Sequence, residues 1–301
     1  MENINNRQIV GIGWMVLHCF LISAMSAMIK NISEEFHVLQ IAFTHNFVAF
    51  ILMFPVILTG NRYKNLKTKK VHLHILRAFL GAISLAMYFY AFTVMPLTQA
   101  RAIALTGPLV SSLFAVLFLN EKMGWYRISA LIIGFVGALV ILRPGTDSFT
   151  YVSLMVISSV FMWAIIDIII KTLGKTESTS SQLFYLTGLM SLFTLPGAVY
   201  FWKTPENYEQ IVILFLLGAI FVVNVAAVFN AFKNADVTVI MPFDFSGMVF
   251  TTIIAYLIFS EIIDFYTAVG SMIIVVSSVY IARREAKIDH KVHAVIPKSE
   301  I

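Results

Sequence analysis

Charge is scarce in this chain. Only 12% of its 301 residues are Asp, Glu, Lys or Arg, about half the share usual in a soluble domain. With 59% hydrophobic residues and a mean hydropathy of +0.86, a folded body of this size cannot cover itself with polar surface. Its solvent is largely lipid. That excludes a large soluble domain, a long disordered tail and a protein held by a single anchor. Cysteine is nearly absent: Cys19 stands alone, so an intrachain disulfide is excluded. Enzyme signatures are missing as well. There is no HExxH, no GxSxG, no phosphate-cradling glycine loop and no clustered Cys/His set. The sequence therefore predicts no enzyme, no metal site and no cofactor, and ATP cannot drive work from within the chain. The strict alternation of an outer-membrane barrel is also lacking, because the apolar runs are continuous. Only Arg7 precedes the first run as a basic residue, no small-residue cleavage site stands out and the run is as long as a span, which predicts a retained span rather than a signal peptide.

The chain does contain ten apolar runs, at about 9–29, 38–58, 72–94, 97–119, 124–142, 151–170, 180–201, 209–231, 236–259 and 265–282. Each is about the length that a helix needs to cross the hydrocarbon core. The net charge of +5 and pI near 9.2 do not point to nucleic acid, because the basic residues lie mostly in the gaps between runs. With the N-terminus inside, the inner segments hold Arg7, the five basic residues from Arg62 to Lys70, Lys122, Arg127, Lys171, Lys175, Lys233 and the basic tail from Arg283 onward. The outer segments hold Lys30, Arg143 and Lys203 alone. This positive-inside bias predicts a multi-pass protein of the inner membrane with both termini cytoplasmic.

The halves repeat. Under a shift of 140 residues, Phe89-Tyr90-Ala91-Phe92 falls on Phe229-Asn230-Ala231-Phe232, Thr98 on Thr238, Glu121 on Glu261, Tyr126 on Tyr266 and Arg143 on Arg283. Five spans per half is an odd number, so the second copy enters the membrane from the opposite side. The predicted fold is all-α: ten transmembrane helices arranged as two inverted five-helix repeats, residues 1–143 and 151–283, followed by a cytoplasmic tail at 284–301. The run Tyr88 to Tyr90, then Pro96, Gly107-Pro108-Leu109, Leu119-Asn120-Glu121 and Gly134-Phe135-Val136-Gly137 resembles the ten-helix, EamA-like branch of the drug/metabolite transporter superfamily. His74 to Arg77, Phe118 to Glu121 and Asp167 to Lys171 are similar to the bacterial S-adenosylmethionine uptake transporters within it. One departure is His45, at a position where the family often carries Arg.

Ionisable groups inside a bilayer need a reason. Asp244 lies about nine residues into the ninth run, roughly 13 Å deep. Pro242 beside it removes a backbone donor and predicts a freed carbonyl near Thr238. Asp244 is the first candidate for a substrate or proton site, with pairing to Arg101 as the structural alternative. Asp244 and Arg101 both break the repeat, falling opposite Ala104 and Met241. Arg101 and Arg77 can also snorkel. Asp167 and Lys171, four apart, predict an intrahelical ion pair. His18 and His45 are candidate proton carriers or interhelical hydrogen-bonding groups. Tyr88, Tyr90, Trp163, Tyr185 and Asn224 are candidate cavity linings. Glu121 and Glu261, which repeat, predict a scaffold role such as capping a neighbouring helix. Gly81, Gly134, Gly137 and Gly270 predict close helix packing.

The predicted function is secondary transport of a small polar metabolite by alternating access. The resemblance implies amino acids, nucleosides or related solutes, and the buried acid favours a cationic one such as S-adenosylmethionine, with Arg101 meeting its carboxylate. The expected substrate site is Asp244, Arg101, Trp163, Asn224 and Tyr88. Proton coupling would fall to His18, His45 or Asp244. The expected partners are a small molecule and the lipid bilayer, with no nucleic acid, in a monomer or homodimer. The alternatives are an exporter of the same fold, a non-transporting membrane subunit and an intramembrane enzyme.

Overall fold

A computed structural model describes residues 2–59, 66–121, 124–143, 150–273, 275–277 and 280. The described residues are helical and contain no strand. The elements are α1 (Glu2–Ile32), α2 (Val38–Leu58), α3 (Val71–Val94), α4 (Leu97–Ala104), α5 (Gly107–Leu119), α6 (Trp125–Leu142), α7 (Tyr151–Gly174), α8 (Thr179–Tyr200), α9 (Tyr208–Asn234), α10 (Val237–Asp244) and α11 (Ser246–Phe259). Eight spans among the described residues are long and apolar enough to cross a membrane, with α4–α5 forming one and α10–α11 most of another. The other two expected spans correspond to α6 and to a shorter apolar helix at Phe265–Ser277. Arg62, Lys64 and the tail 284–301 lie outside the described residues.

Some helices start where side chains take up free backbone donors. Ser178 accepts the Ser181 N–H at 3.2 Å, Asn207 accepts the Gln210 N–H at 2.9 Å, and Thr150 forms a capping box with Ser153. Outward faces are apolar, as a lipid solvent requires: Leu117, Phe118, Val199, Leu257 and Ile258 are all exposed. Exposed Trp125, Tyr151, Tyr200 and Tyr208 stand at helix ends, where a membrane interface places aromatics.

Packing repeats between the halves. α1 lies against α9 as α7 lies against α3, α1 against α11 as α7 against α5, and α10 against α5 as α4 against α11. α2 and α8 pack on each other. The fourth and ninth spans are broken at matching points, α4 ending at Ala104 and α10 at Asp244. Proline sits near each break: Pro108 opens α5, and Pro242 lies just before the end of α10. Both spans end on a left-handed residue, Asn120 (φ 54°) and Ser260 (φ 53°). The glutamate after each caps the other half's broken helix. Glu261 accepts the N–H groups of Leu97 (3.3 Å) and Thr98 (3.4 Å) at the start of α4. Glu121 accepts the N–H of Val237 (3.3 Å) at the start of α10. Carboxylates are stabilising at such helix N-termini.

Glycine lets helices approach at two of the expected positions and elsewhere. Gly81 faces Met190 and Gly134 faces Leu109, and α9 approaches α2 closely at Gly218, where a Cβ would stand 2.5 Å from Val48.

Two expectations are corrected here. Arg77 does not snorkel: it is fully buried, and its guanidinium donates to the Oε1 (3.0 Å) and the main-chain O (2.7 Å) of Gln182. Two carbonyl-type acceptors across a helix interface hold a desolvated cation better than a stretch to the headgroups. Asp167 and Lys171 do not pair. Lys171 reaches the carbonyl oxygens of Phe232 (3.0 Å) and Ala235 (2.5 Å) at the C-terminal end of α9, where the helix dipole is negative. Asp167 turns inward to Ser111. The break at the end of α10 presents the carbonyl oxygens of Phe243 and Asp244 to neighbouring donors.

Candidate functional site

A cavity of about 220 Å³ lies between the halves. Its wall is built from one face of each surrounding helix. On α3 that face is Arg77, Gly81, Leu85 and Tyr88, and on α7 it is Val160, Trp163, Asp167 and Ile170. Both series follow helical spacing of three and four. α1 contributes Met15, His18 and Ile22, and α9 contributes Phe221, Asn224 and Val225. The breaks in the fourth and ninth spans bring Arg101, Ala104, Met241 and Asp244 to the same place.

The centre of the wall is a polar chain. The Arg101 Nη2 donates to the Asp244 carboxylate (3.1 Å) and to the Asp244 main-chain oxygen (2.9 Å). The carbonyl is available because the helix stops there. Arg101 is therefore buried in the site rather than drawn to the interface. Space for its guanidinium comes from Gly247, since a Cβ at that position would stand 2.1 Å from Nη2. Tyr88 lines the cavity together with Arg101. On the far side of the carboxylate the Cys19 thiol donates to Asp244 Oδ1 (3.4 Å), and His18 Nε2 stands 4.0 Å from it. His18 Nδ1 donates to Asn224 Oδ1 at 2.7 Å. Trp163 closes the apolar side, edge-on to Tyr88 at 4.8 Å between ring centres.

The structure thus brings Asp244, Arg101, Tyr88, Trp163, Asn224 and His18 together around one cavity. It leaves His45 out. That ring is buried between Phe221 (4.5 Å) and Phe89 (5.6 Å), and its Nδ1 donates to the Ile41 carbonyl at 3.0 Å. Tyr185 is also elsewhere, donating to the Leu66 carbonyl at 2.6 Å. Tyr90 meets Tyr151 at 3.1 Å, away from the cavity. Sequence reasoning did not assign Asp167, Ser111, Arg77, Cys19 or Gly247 to the site. The signal for Asp167 and Arg77 was present: each lies at helical spacing from a residue that was assigned, Asp167 four after Trp163 and Arg77 eleven before Tyr88. Cys19 and Gly247 gave no such signal, because their roles depend on contact across helices.

An arginine–aspartate pair in a partly apolar cavity can hold a zwitterion. The guanidinium suits a carboxylate and the carboxylate suits an ammonium. The aromatic wall suits a flat or apolar remainder.

Known proteins agree with the fold and with a transport role. The EamA-like transporter family matches the chain twice, over residues 9–143 and 150–283, and the chain belongs to that family. It is 32% identical over 293 residues to an S-adenosylmethionine uptake transporter of Rickettsia felis, covering 97% of this chain and 99% of that one. It is 28% identical to a riboflavin transporter of Vibrio cholerae (95% and 97%), and 26% identical to a pseudopaline exporter of Pseudomonas aeruginosa (91% and 96%). A solved crystal structure superposes with a TM-score of 0.71 at 14% identity, covering 93% of this chain and 99% of that one. That likeness concerns the fold alone. The family and these relatives are transporters, not enzymes.

Proposed function

We propose that this member of the EamA-like transporter family is a secondary transporter of the bacterial inner membrane. It moves a small, polar, amino-acid-like solute by alternating access, with S-adenosylmethionine as the leading candidate. The observation that carries this reading is the Arg101–Asp244 pair, set at the breaks of two matched helices and facing a cavity between the halves. A solute bearing an α-amino and a carboxylate group replaces the partners that the two side chains now give each other. The similarity to S-adenosylmethionine uptake transporters supports the same chemistry.

The transport cycle follows from the repeat. We read the chain as ten spans in two inverted halves, residues 1–143 and 151–283, with both termini and the tail 284–301 cytoplasmic. The exchange of contacts between the halves and the paired glutamate caps support that arrangement. The cavity reaches from the broken helices toward Arg77, Asp167, Ile170 and Phe232, which lie near the cytoplasmic ends of their helices in this topology. On the other side α1 closes on α11 through Ser23 Oγ, which lies 2.9 Å from Thr251 Oγ1 and donates to the Gly247 carbonyl at 3.2 Å. Rocking one half against the other would open that contact and close its counterpart between α7 and α5.

The test is uptake by purified protein in proteoliposomes, with labelled S-adenosylmethionine, riboflavin and amino acids side by side. Saturable uptake of S-adenosylmethionine, competed by amino-acid-like solutes, is expected. Uptake of riboflavin alone would overturn the substrate assignment while leaving the transport role intact.

A further inference from the structure

Asp244 has a cation beside it, and Asp167 does not. Asp167 lines the same cavity from α7, and its Oδ2 accepts the Ser111 hydroxyl at 2.6 Å. Among the described residues it forms no ion pair. The nearby cations are committed elsewhere: Lys171 to the end of α9, Arg77 to Gln182 and Arg101 to Asp244. The wall around it is apolar, with Val160, Ile166 and Ile170 on its own helix and Phe229 opposite. A carboxylate in such surroundings calls for a positive partner.

Its neighbour on the same face of α7 is Trp163, one turn away and also on the cavity wall. A carboxylate beside an indole suits a cation that has no N–H to donate, because charge and ring face both act on a soft, methylated centre. A metal ion is poorly served. One carboxylate and one hydroxyl fall short of the six or more oxygens that calcium requires, and no group of metal-ligating side chains occurs among the described residues.

We propose that Asp167, held by Ser111 and flanked by Trp163, is a second subsite in this cavity that takes an onium group of the solute, a sulfonium or a methylated ammonium. The solute's zwitterionic end then sits at Arg101 and Asp244. This rests on the cavity being the solute site. It adds a selection rule, since a solute with a second cation is preferred over its neutral counterpart.

S-adenosylmethionine and S-adenosylhomocysteine make the comparison, because they differ by one methyl group and the sulfonium charge. Binding of both to the purified full-length protein is measured for wild type and Asp167→Asn. Wild type should bind the sulfonium at least about tenfold more tightly, the size of one desolvated cation–ring contact. Asp167→Asn should bring the two within about twofold while leaving the thioether's affinity unchanged. A ratio untouched by Asp167→Asn overturns the proposal. If Asp167→Asn does not fold, Ser111→Ala takes its place and should lower the ratio several-fold; an unchanged ratio there overturns it equally. If neither compound binds wild type, the substrate assignment has failed, and the subsite is judged by tetramethylammonium alone. That ion should raise the thermal stability of wild type, with tert-butanol as the neutral control, and the effect should vanish in the variant. No stabilisation by tetramethylammonium, or an equal effect in the variant, overturns the subsite.

Discussion

Replacing Asp244 with Asn removes one charge and almost no volume, and its consequences separate a binding role from a packing role. The pair is close, 3.1 Å from nitrogen to oxygen, with side chains 10% and 13% exposed. At an effective dielectric of about 20, Coulomb's law gives roughly 5 kcal/mol of attraction at that distance. Desolvation costs several kcal/mol per ion and offsets most of it, so the intact pair adds little net stability. Breaking it is another matter. Asp244→Asn leaves the Arg101 guanidinium buried with the Asp244 carbonyl at 2.9 Å, and stranded buried charges of this kind cost about 3–5 kcal/mol. The retained carbonyl contact places the expected loss at the lower end. Arg101→Gln should destabilise by a comparable amount, because Asp244 keeps only the weak Cys19 thiol donor and a histidine 4.0 Å away. The double variant removes both charges of the pair and should regain most of the stability. Transport should behave differently. If the pair binds the solute, both singles and the double should lose tenfold or more in uptake, since one charge-assisted contact is worth roughly 1.5–3 kcal/mol. The assay is thermal unfolding in detergent beside proteoliposome uptake for all four proteins. A double variant that is stable and transports at the wild-type rate would refute the reasoning and leave the pair a structural one.

Three further outcomes are expected. In a Cys19→Ser background, Gly124→Cys and Ile262→Cys should be labelled from opposite sides of intact cells, Ile262→Cys from outside; labelling of both from the same side would sink the inverted arrangement. Gly247→Ala should abolish uptake and lower thermal stability, because its Cβ must displace the guanidinium from 2.1 Å, whereas Gly107→Ala meets only Val160 at 3.8 Å and should transport normally; similar behaviour of the two would show that the guanidinium yields freely. Glu261→Gln should cost about 1–2 kcal/mol of stability by weakening the cap on α4 and the 2.5 Å contact with Lys30, and a variant as stable as wild type in denaturant melts would remove the cap from the account.

How much of this was legible beforehand depends on which physical effect placed each residue. Solvent choice acts on composition, so the apolar runs and the membrane class could be read from the sequence. Gene-level repetition acts on spacing, so Glu121 and Glu261 stood out, and they do cap partners in opposite halves. The depth of Asp244 followed from counting residues at a fixed rise per residue. Direction around a helix is harder. Arg101 lies close enough to a span end to reach the interface, and only the break at Ala104, the carbonyl it frees and the gap at Gly247 turn it inward. Asp167 was read as the partner of Lys171 because sequence shows a neighbour four residues away but not a carbonyl cluster on another helix. His45 has the depth of a proton carrier, yet two aromatic rings enclose it.

The division between frame and site follows the same line. Features that repeat at a spacing of about 140, the helix breaks, the left-handed ends and the glutamate caps, build the frame. The cavity's ionisable groups do not repeat: Asp244 and Arg101 fall opposite Ala104 and Met241, and Asp167 falls opposite Ser26 at the spacing of 141 that aligns Lys30 with Lys171. A two-fold frame must offer both halves the same backbone contacts if it is to rock between equivalent states, whereas a solute without two-fold symmetry cannot satisfy two copies of one side chain. On the proposed reading, charge in the cavity answers to the solute and backbone geometry to the cycle. In the proposed transporter, specificity therefore rests on Asp244, Asp167 and Arg101, none of which has a counterpart in the other half.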